Sequence, residues 1–160
     1  MRVLGIDPGF GRCGIAVMDD SFGSPTLLFS TCIETKASVP FSKRMLEIAN
    51  EIHRILQEFR PDEIALEEVF FSRNQKTVIH VAEIRGMILY LAAKRSTPIS
   101  EYNPGRVKIS VTGDGRADKE QVKQMVRRIL RMDGKERLDD EYDAIALSIA
   151  HLSEYRSRQS

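Results

Sequence analysis

Two short apolar runs of this chain each lead directly into an acidic residue. Residues 3–6 read VLGI and are followed by Asp7, and residues 64–66 read IAL and are followed by Glu67. Short apolar runs bounded by turn residues predict buried strands. A carboxylate at the end of a buried strand is costly unless its charge is compensated. The fold must therefore bring a compensating group to both strand ends.

A late segment adds a second pair of acids near the start of a predicted helix, residues 139–155. Asp140 and Asp143 lie three residues apart and project to one side of that helix. Acids in a first helical turn are commonly explained by the helix dipole. That explanation is weaker for Asp143, because it shares the apolar face of the helix. Asp139 competes with Asp140, and Glu68 competes with Glu67, so spacing alone leaves both choices open.

The four acids suit hard divalent cations. Converging carboxylates are compensated most simply by metal, and Mg²⁺ prefers oxygen ligands. Two ions about 3.5–4 Å apart would clamp the attacking and leaving oxygens of a phosphodiester during an in-line displacement. One carboxylate must bridge the two ions, and Asp7, on a central strand, is the candidate. Taken alone, Asp7 is also a common turn residue, because it precedes Pro8-Gly9.

Charge is polarised along the chain, although the formal net charge is only +1. Residues 104–137 carry ten Lys and Arg against five Asp and Glu, a net +5, and the remainder carries fourteen against eighteen, a net −4. A basic half beside the late acids is typical of a protein that binds a polyanion. Asp118, followed three residues later by Gln121, resembles a capping box, which predicts a helix from there to about Met132. Four basic residues of this half recur every fourth position, which places them in one row on that helix. They are Lys119, Lys123, Arg127 and Arg131.

The predicted elements follow the order of three strands, helix, strand, helix, strand and three helices. Gly- and Pro-rich turns favour an antiparallel meander for residues 1–34. The strand–helix–strand path that follows predicts parallel pairing of residues 63–67 with the first strand. We expect one domain over residues 1–155 and a frayed tail over residues 156–160.

The predicted helix over residues 75–94 has apolar residues on more than one side. Such a helix is buried on more than one side. The second side is covered either within the monomer or by another subunit, and the pattern does not favour one over the other.

The chain has no apolar stretch near the roughly 20 residues that span a bilayer, so we expect no membrane association. Its two cysteines, Cys13 and Cys32, form no C-x-x-C pair and predict no disulfide framework. The N-terminal residues lack the pattern of a secretory signal. We therefore expect a cytoplasmic protein.

Four motifs follow one another along the chain. Residues 5–9 read GIDPG, residues 65–70 read ALEEVF, residues 105–108 and 117–119 read GRVK and ADK, and residues 140–147 read DEYDAIAL. In this order they resemble the RuvC family of bacterial Holliday-junction resolvases. The resemblance implies an α/β protein with the ribonuclease H-like fold, a mixed five-stranded sheet flanked by helices. It also implies a metal-dependent endodeoxyribonuclease that resolves Holliday junctions by symmetric paired nicks during recombination and DNA repair.

The resemblance also implies roles for individual residues. The family's four catalytic acids, which are also its metal ligands, fall on Asp7, Glu67, Asp140 and Asp143. This selects Glu67 over Glu68 and Asp140 over Asp139.

The family's basic residues near the scissile phosphate fall on Lys108 and Lys119, as catalytic and substrate-binding groups. Lys123 and Arg127, in the basic row, are further candidates for DNA contact. The family's aromatic wedge falls on Phe70, where an exposed ring can stack on an unpaired base. For Phe70, simple core packing is the alternative.

Family members imply partners and cofactors as well. They are homodimers that act on four-way junction DNA together with the RuvA–RuvB branch-migration complex. The expected cofactor is Mg²⁺, two ions per active site, with Mn²⁺ as a substitute. A homodimer favours the subunit interface for the helix over residues 75–94.

One segment departs from the family pattern. Residues 14–16 read GIA, where the family usually has Gly-aromatic-Gly, and this segment resembles YqgF-type nucleases of ribosomal RNA maturation. An RNA-processing nuclease on the same fold is therefore one alternative. A non-catalytic module that binds nucleic acid is another.

Overall fold

A computed structural model of the chain describes residues 1–21, 23–68, 75–132, 134 and 136–159. Five strands form one sheet with the order β3-β2-β1-β4-β5. The strands are β1 (Arg2–Asp7), β2 (Arg12–Asp19), β3 (Thr26–Glu34), β4 (Glu63–Glu67) and β5 (Ile99–Tyr102). β1 to β3 pair as an antiparallel meander, and β4 pairs in parallel with β1 and with β5. The predicted mixed five-stranded sheet is confirmed.

Five helices flank the sheet. They are α1 (Phe41–Phe59), α2 (Gln75–Lys94), α3 (Pro104–Thr112), α4 (Lys119–Leu130) and α5 (Asp139–Gln159). The last helix continues to Gln159, whereas the sequence predicts its end at Tyr155 and a frayed tail. The physical reason is an ion pair that holds this turn: Arg156 Nε donates to Asp20 Oδ2 at 2.6 Å.

The sheet separates two apolar cores. Leu4 and Ile6 of β1 point to the side covered by α1 and α2, where Ile52 and Ile88 pack against them. Val3 of β1 points to the opposite side, which is covered by α3, α4 and α5. Because strand side chains alternate between faces, every second residue of β1 and β4 faces α5.

Two glycines let α5 lie directly on the sheet. A Cβ atom at Gly5 of β1 would overlap Ser148 Oγ and the carbonyl oxygen of Ala144, and a Cβ at Gly14 of β2 would overlap the carbonyl oxygen of Asp140. These glycines are needed for space and not for an unusual backbone conformation, since neither has a positive φ. The first two turns of α5 are thus in backbone contact with β1 and β2.

A capping box starts α4. Asp118 Oδ1 accepts from the Gln121 N–H, and Gln121 Oε1 accepts from the Asp118 N–H, both at 2.8 Å. This reciprocal cap, predicted from the sequence, fixes the first residue of the helix, Lys119.

α2 buries only one of its two apolar sides in the monomer. Ile84 and Ile88 face the sheet, whereas Ile79 and Tyr90 are 57% and 62% exposed. The described residues of the monomer therefore leave this side of α2 uncovered. Among the described residues, we find no helix that combines the length and apolar character needed to cross a bilayer.

Gly14→Ala should destabilise the protein. The added methyl group meets the backbone of α5, which has to move, and overpacking of this kind costs roughly 1–3 kcal/mol. Urea denaturation monitored by circular dichroism measures the change. Gly134→Ala is the control, because nothing lies within 4 Å of a Cβ there. Equal stability of the two variants would contradict the close packing of α5 on β2.

Candidate active site

Asp7 and Glu67 lie side by side at the ends of two parallel strands. The register pairs Ile6 with Leu66, so the next residue of each strand is an acid. The adjacent Ile6 and Leu66 point into the core on the α1–α2 side of the sheet. Because side chains alternate along a strand, Asp7 and Glu67 point to the opposite face, which α5 covers. Glu68 lies beyond β4, and its backbone N–H donates to the Tyr102 carbonyl oxygen at 2.9 Å. The geometry thus supports Glu67 as the acid that joins the site.

The first turns of α5 bring two more acids to the same place. Asp143 Oδ2 lies 3.5 Å from Lys119 Nζ of α4. Asp140 Oδ2 lies 3.8 Å from Arg12 Nη1, at the start of β2. Asp139 is occupied elsewhere, because Lys123 Nζ contacts its carboxylate at 2.6 Å. This contact supports Asp140, and not Asp139, as the second acid of the helix.

The electrostatics show that the four acids share one field. The pKa of Asp7 is raised to about 8, chiefly by burial and further by the charges of Glu67, Asp143 and Asp140. Burial raises the pKa of Glu67 to about 7, with an added contribution from Asp143. The pKa of Asp143 is raised by burial, and Lys119 opposes that increase. Carboxylates with raised pKa values in one cluster are typical of functional sites.

A cavity of about 290 Å³ opens beside this cluster. Its polar lining includes Glu67, Asp143, Lys108 of α3 and Lys119 of α4. Two predicted acids and both predicted catalytic lysines therefore meet in one cavity. Its apolar lining comes from residues of α3, α4 and α5, which fix these side chains on helices.

Two further members of the predicted basic row, Lys123 and Arg127, lie farther along α4 and have partners of their own. Lys123 holds Asp139, as described above, and Arg127 Nε donates to the Tyr142 hydroxyl at 2.8 Å. The Arg127 guanidinium also lies over the Tyr142 ring, 5.3 Å from its centroid. Both residues anchor α4 to the start of α5. Their contact with DNA stays a prediction, and Phe70 lies outside the described residues.

The donor chemistry of the cluster fits a hard divalent cation. All four acids supply oxygen, and the pKa values of Asp7 and Glu67 are raised by burial and by neighbouring carboxylates, which a cation would offset. Within the described ranges, no three His, Cys, Asp or Glu side chains are grouped closely enough to hold a metal ion. The four acids are close enough for the charges of Glu67, Asp143 and Asp140 to act on Asp7, but their side chains would have to move closer together to bind an ion in common.

One basic residue at the site, Arg12, was not predicted from the sequence. Arg12 lies beside Asp140, yet in the sequence it is only the last residue of a Gly-rich turn. The signal that finds it is strand alternation: Arg12 is two residues before Gly14 and so shares the face that α5 covers.

Comparison with known proteins agrees with this geometry. Residues 3–151 match the family model of the crossover junction endodeoxyribonuclease RuvC. The chain belongs to the RuvC family. Its activity is accordingly that of an endodeoxyribonuclease acting at crossover junctions, with the ribonuclease H-like fold.

Individual relatives match over nearly the whole chain. The RuvC of Thermotoga petrophila is 39% identical over 159 residues, which cover 99% of this chain and 96% of the relative. The RuvC of Thermobifida fusca is 44% identical over 153 residues, which cover 95% of this chain and 84% of the relative. The structure of T. thermophilus RuvC in complex with a Holliday junction substrate superposes with a TM-score of 0.92 at 32% identity, covering 99% of this chain and 96% of the other.

The stability of the metal-free protein should fall as pH rises. The pKa of Asp7 is raised from 3.8 to about 8, so the folded state retains a proton that the unfolded chain releases within that interval. The free energy of unfolding therefore decreases from about pH 4 to about pH 8, and Glu67 contributes in the same direction. Thermal melts in EDTA at about pH 5 and about pH 8 measure this, with each kcal/mol moving the midpoint by roughly 2–4 °C.

Mg²⁺ should restore stability mainly at the higher pH, where the carboxylates are ionised and repel one another. Asp7→Asn should remove most of the pH dependence in EDTA. Asp62→Asn, at the opposite end of β4, should leave it in place. A melting midpoint that does not decrease between the two pH values would contradict the clustering of buried acids.

Proposed function

We propose that the chain resolves four-way DNA junctions by metal-dependent, symmetric paired nicks, with the acid cluster as its active site. The observation that supports this most directly is the convergence of four carboxylates, two of them with strongly raised pKa values, beside Lys119. A structural protein would have no reason to bury acids in this way, since each of them lowers stability at neutral pH.

The proposed ligands of two Mg²⁺ ions are Asp7, Glu67, Asp140 and Asp143. When bound, the ions would supply an activated water and neutralise charge on the scissile phosphodiester. Asp7 is proposed to bridge, because the other three acids all raise its pKa and it is thus central among them. Mn²⁺ offers the same coordination preference for oxygen and is the proposed substitute.

The lysines act on the phosphate and its leaving group. Lys119 Nζ, 3.5 Å from Asp143, is placed to stabilise negative charge that develops on the phosphate oxygens. Lys108 lines the same cavity from α3 and is proposed to bind the adjacent phosphate. Lys123 and Arg127 extend the basic surface along α4, and Phe70 is proposed to stack on an opened base near the junction centre.

Two alternatives are less well supported. An RNA-processing nuclease was suggested by residues 14–16, but family membership favours junction DNA as the substrate. Small residues at 14 and 16 have a local reason in this chain, since α5 touches the backbone at Gly14 and Ala16 is buried beneath that helix. A non-catalytic module would not need the complete set of acids.

Asp7→Asn should reduce cleavage of a synthetic four-way junction by about a hundred- to a thousandfold, the scale of loss that follows from removing a key charge-stabilising group. Binding should remain near normal or improve, because the acid repels phosphate. Denaturing gels of end-labelled junction strands measure cleavage, and mobility shifts measure binding.

Asp62→Asn should cut at the wild-type rate, which controls for loss of one negative charge. A structured RNA tested in parallel separates the RNA-processing alternative. If Asp7→Asn still cuts the junction at the wild-type rate, the two-metal mechanism is wrong.

We further infer a homodimer that joins through the exposed side of α2. Exposed residues of this side recur at intervals of three and four, which places them in one stripe. They are Ile79, Ala82, Gly86, Tyr90 and Ala93. Small residues at the middle let two helices approach closely, and an antiparallel two-fold pairing centred on Gly86 would bring Ile79 of one copy near Ala93 of the other. Two active sites related by a two-fold axis suit paired nicks.

The remaining inferences concern the cellular setting. The RuvA–RuvB complex is the proposed partner in the cell. The proposed cytoplasmic location suits the cysteines, since Cys13 and Cys32 are both free thiols.

Ile79→Glu should convert the dimer to a monomer, because a charge would be buried against an apolar partner surface. Analytical ultracentrifugation at micromolar concentration measures the oligomeric state. Ile109→Glu on α3 is the matched control, since Ile109 has the same 57% exposure. Should Ile79→Glu remain a dimer at every concentration tested, the α2 interface would be wrong.

A further inference from the structure

Arg12 lies at the rim of the acid cluster, on the side opposite α4. It is the first residue of β2 and shares a strand face with Gly14, which touches the backbone of Asp140. Farther along the same face, Ala16 and Met18 are fully buried beneath α5. Arg12 lies beyond this core, and 53% of its side chain is exposed. Its guanidinium is therefore available both to the acids and to a ligand that approaches them.

The guanidinium is held loosely by two carboxylates. Nη1 lies 3.8 Å from Asp140 Oδ2, and Nε lies 3.5 Å from Glu34 Oε2, which is opposite Arg12 on β3. Both distances are longer than ordinary hydrogen bonds between these groups. Half-exposed ion pairs of this kind contribute little to stability and are readily exchanged. Arg12 is thus near the acids without being committed to them.

Two cations flank the cluster in the free protein. Lys119 of α4 lies beside Asp143, and Arg12 of β2 lies beside Asp140, so each of the two α5 acids of the cluster has a basic neighbour. Lys119 is already proposed to act on the scissile phosphate. The symmetry of the arrangement suggests a related task for Arg12 on the other flank.

We propose that Arg12 binds a backbone phosphate of the junction strand once a divalent cation occupies Asp140. This inference rests on the proposed function, because it assumes that Asp140 is a metal ligand. An ion at Asp140 neutralises the charge that attracts Arg12, which releases the guanidinium. A guanidinium then matches a phosphate better than an ammonium does, since its planar fork donates two parallel hydrogen bonds. Arg12 and Lys119 would hold the cleaved strand from opposite flanks of the metal site.

Binding of a synthetic four-way junction by Arg12→Gln tests the proposal, measured over a series of salt concentrations. Ca²⁺ replaces Mg²⁺ as the divalent cation, because carboxylates also bind Ca²⁺. Denaturing gels confirm that the junction strands stay uncut during the binding measurement. The same series is run in EDTA. With Ca²⁺, Arg12→Gln should weaken binding roughly tenfold. The slope of log affinity against log salt concentration should decrease in magnitude by about one. In EDTA, where Asp140 retains Arg12, the loss should be about threefold or less.

Arg54→Gln is the matched control. Arg54 is 47% exposed and is paired with two carboxylates, those of Glu51 and Glu58. The match with Arg12 is in exposure and in pairing with two carboxylates, which for Arg12 are Asp140 and Glu34. Arg54 lies on α1, on the other side of the sheet from α5, so its loss should change neither affinity nor salt dependence. Denaturation midpoints of both variants establish that they are folded.

The outcomes separate this inference from the proposed function. If the wild-type chain neither binds nor cuts the junction, both are wrong. If the wild type cuts the junction but Arg12→Gln binds it with wild-type affinity and salt dependence in Ca²⁺, only the role of Arg12 is wrong. An equal loss of affinity in Ca²⁺ and in EDTA would overturn the proposed release of Arg12 by the cation. Arg12 would then bind phosphate whether or not a cation occupies Asp140.

Discussion

The active site depends on the close approach of α5 to the two central strands of the meander. At Gly5 and Gly14 no side chain separates the sheet from the helix, so the backbone of α5 touches β1 and β2 at these two positions. This contact brings the first turns of α5 to the end of β1, where Asp7 lies. A larger residue at either glycine would move the helix outward and separate Asp140 and Asp143 from Asp7. The geometry of the acids is therefore a consequence of backbone packing and does not depend on attraction between the acids, which repel one another.

That repulsion explains the layout of charge around the site. Asp7 and Glu67 are buried on adjacent strands, and the pKa of each is raised to about 8 and about 7. The basic residues nearby are shared, since Lys119 contacts both Asp139 and Asp143, and Lys123 is engaged by Asp139. The free protein thus holds more buried negative charge than its lysines neutralise. The stability that is lost in this way is recovered when a cation binds, which couples folding to the cofactor.

Much of the fold was predictable because the chain obeys simple periodicities. Apolar runs that end at Asp7 and Glu67 predicted two buried strands, and the capping residues Asp118 and Gln121 predicted the start of α4. Residue spacing alone could not choose between Glu67 and Glu68 or between Asp139 and Asp140. The first choice depends on which face of β4 is covered by α5, and the second depends on which acid of α5 is paired with a lysine of α4. The long-range ion pair of Arg156 with Asp20 extended α5 beyond its predicted end, and local sequence contains no record of such a contact.

The two sides of the sheet divide the work of the molecule. The side that carries α3, α4 and α5 holds the acids and the basic surface, and so it faces the substrate. The opposite side carries α1 and α2, and there α2 exposes an apolar stripe that includes Ile79 and Tyr90. Placing association and catalysis on different sides leaves the cavity beside Glu67 and Asp143 open when two copies join. In the proposed dimer each subunit would receive a strand of the same junction, and the two-fold axis would make the two nicks at symmetric positions.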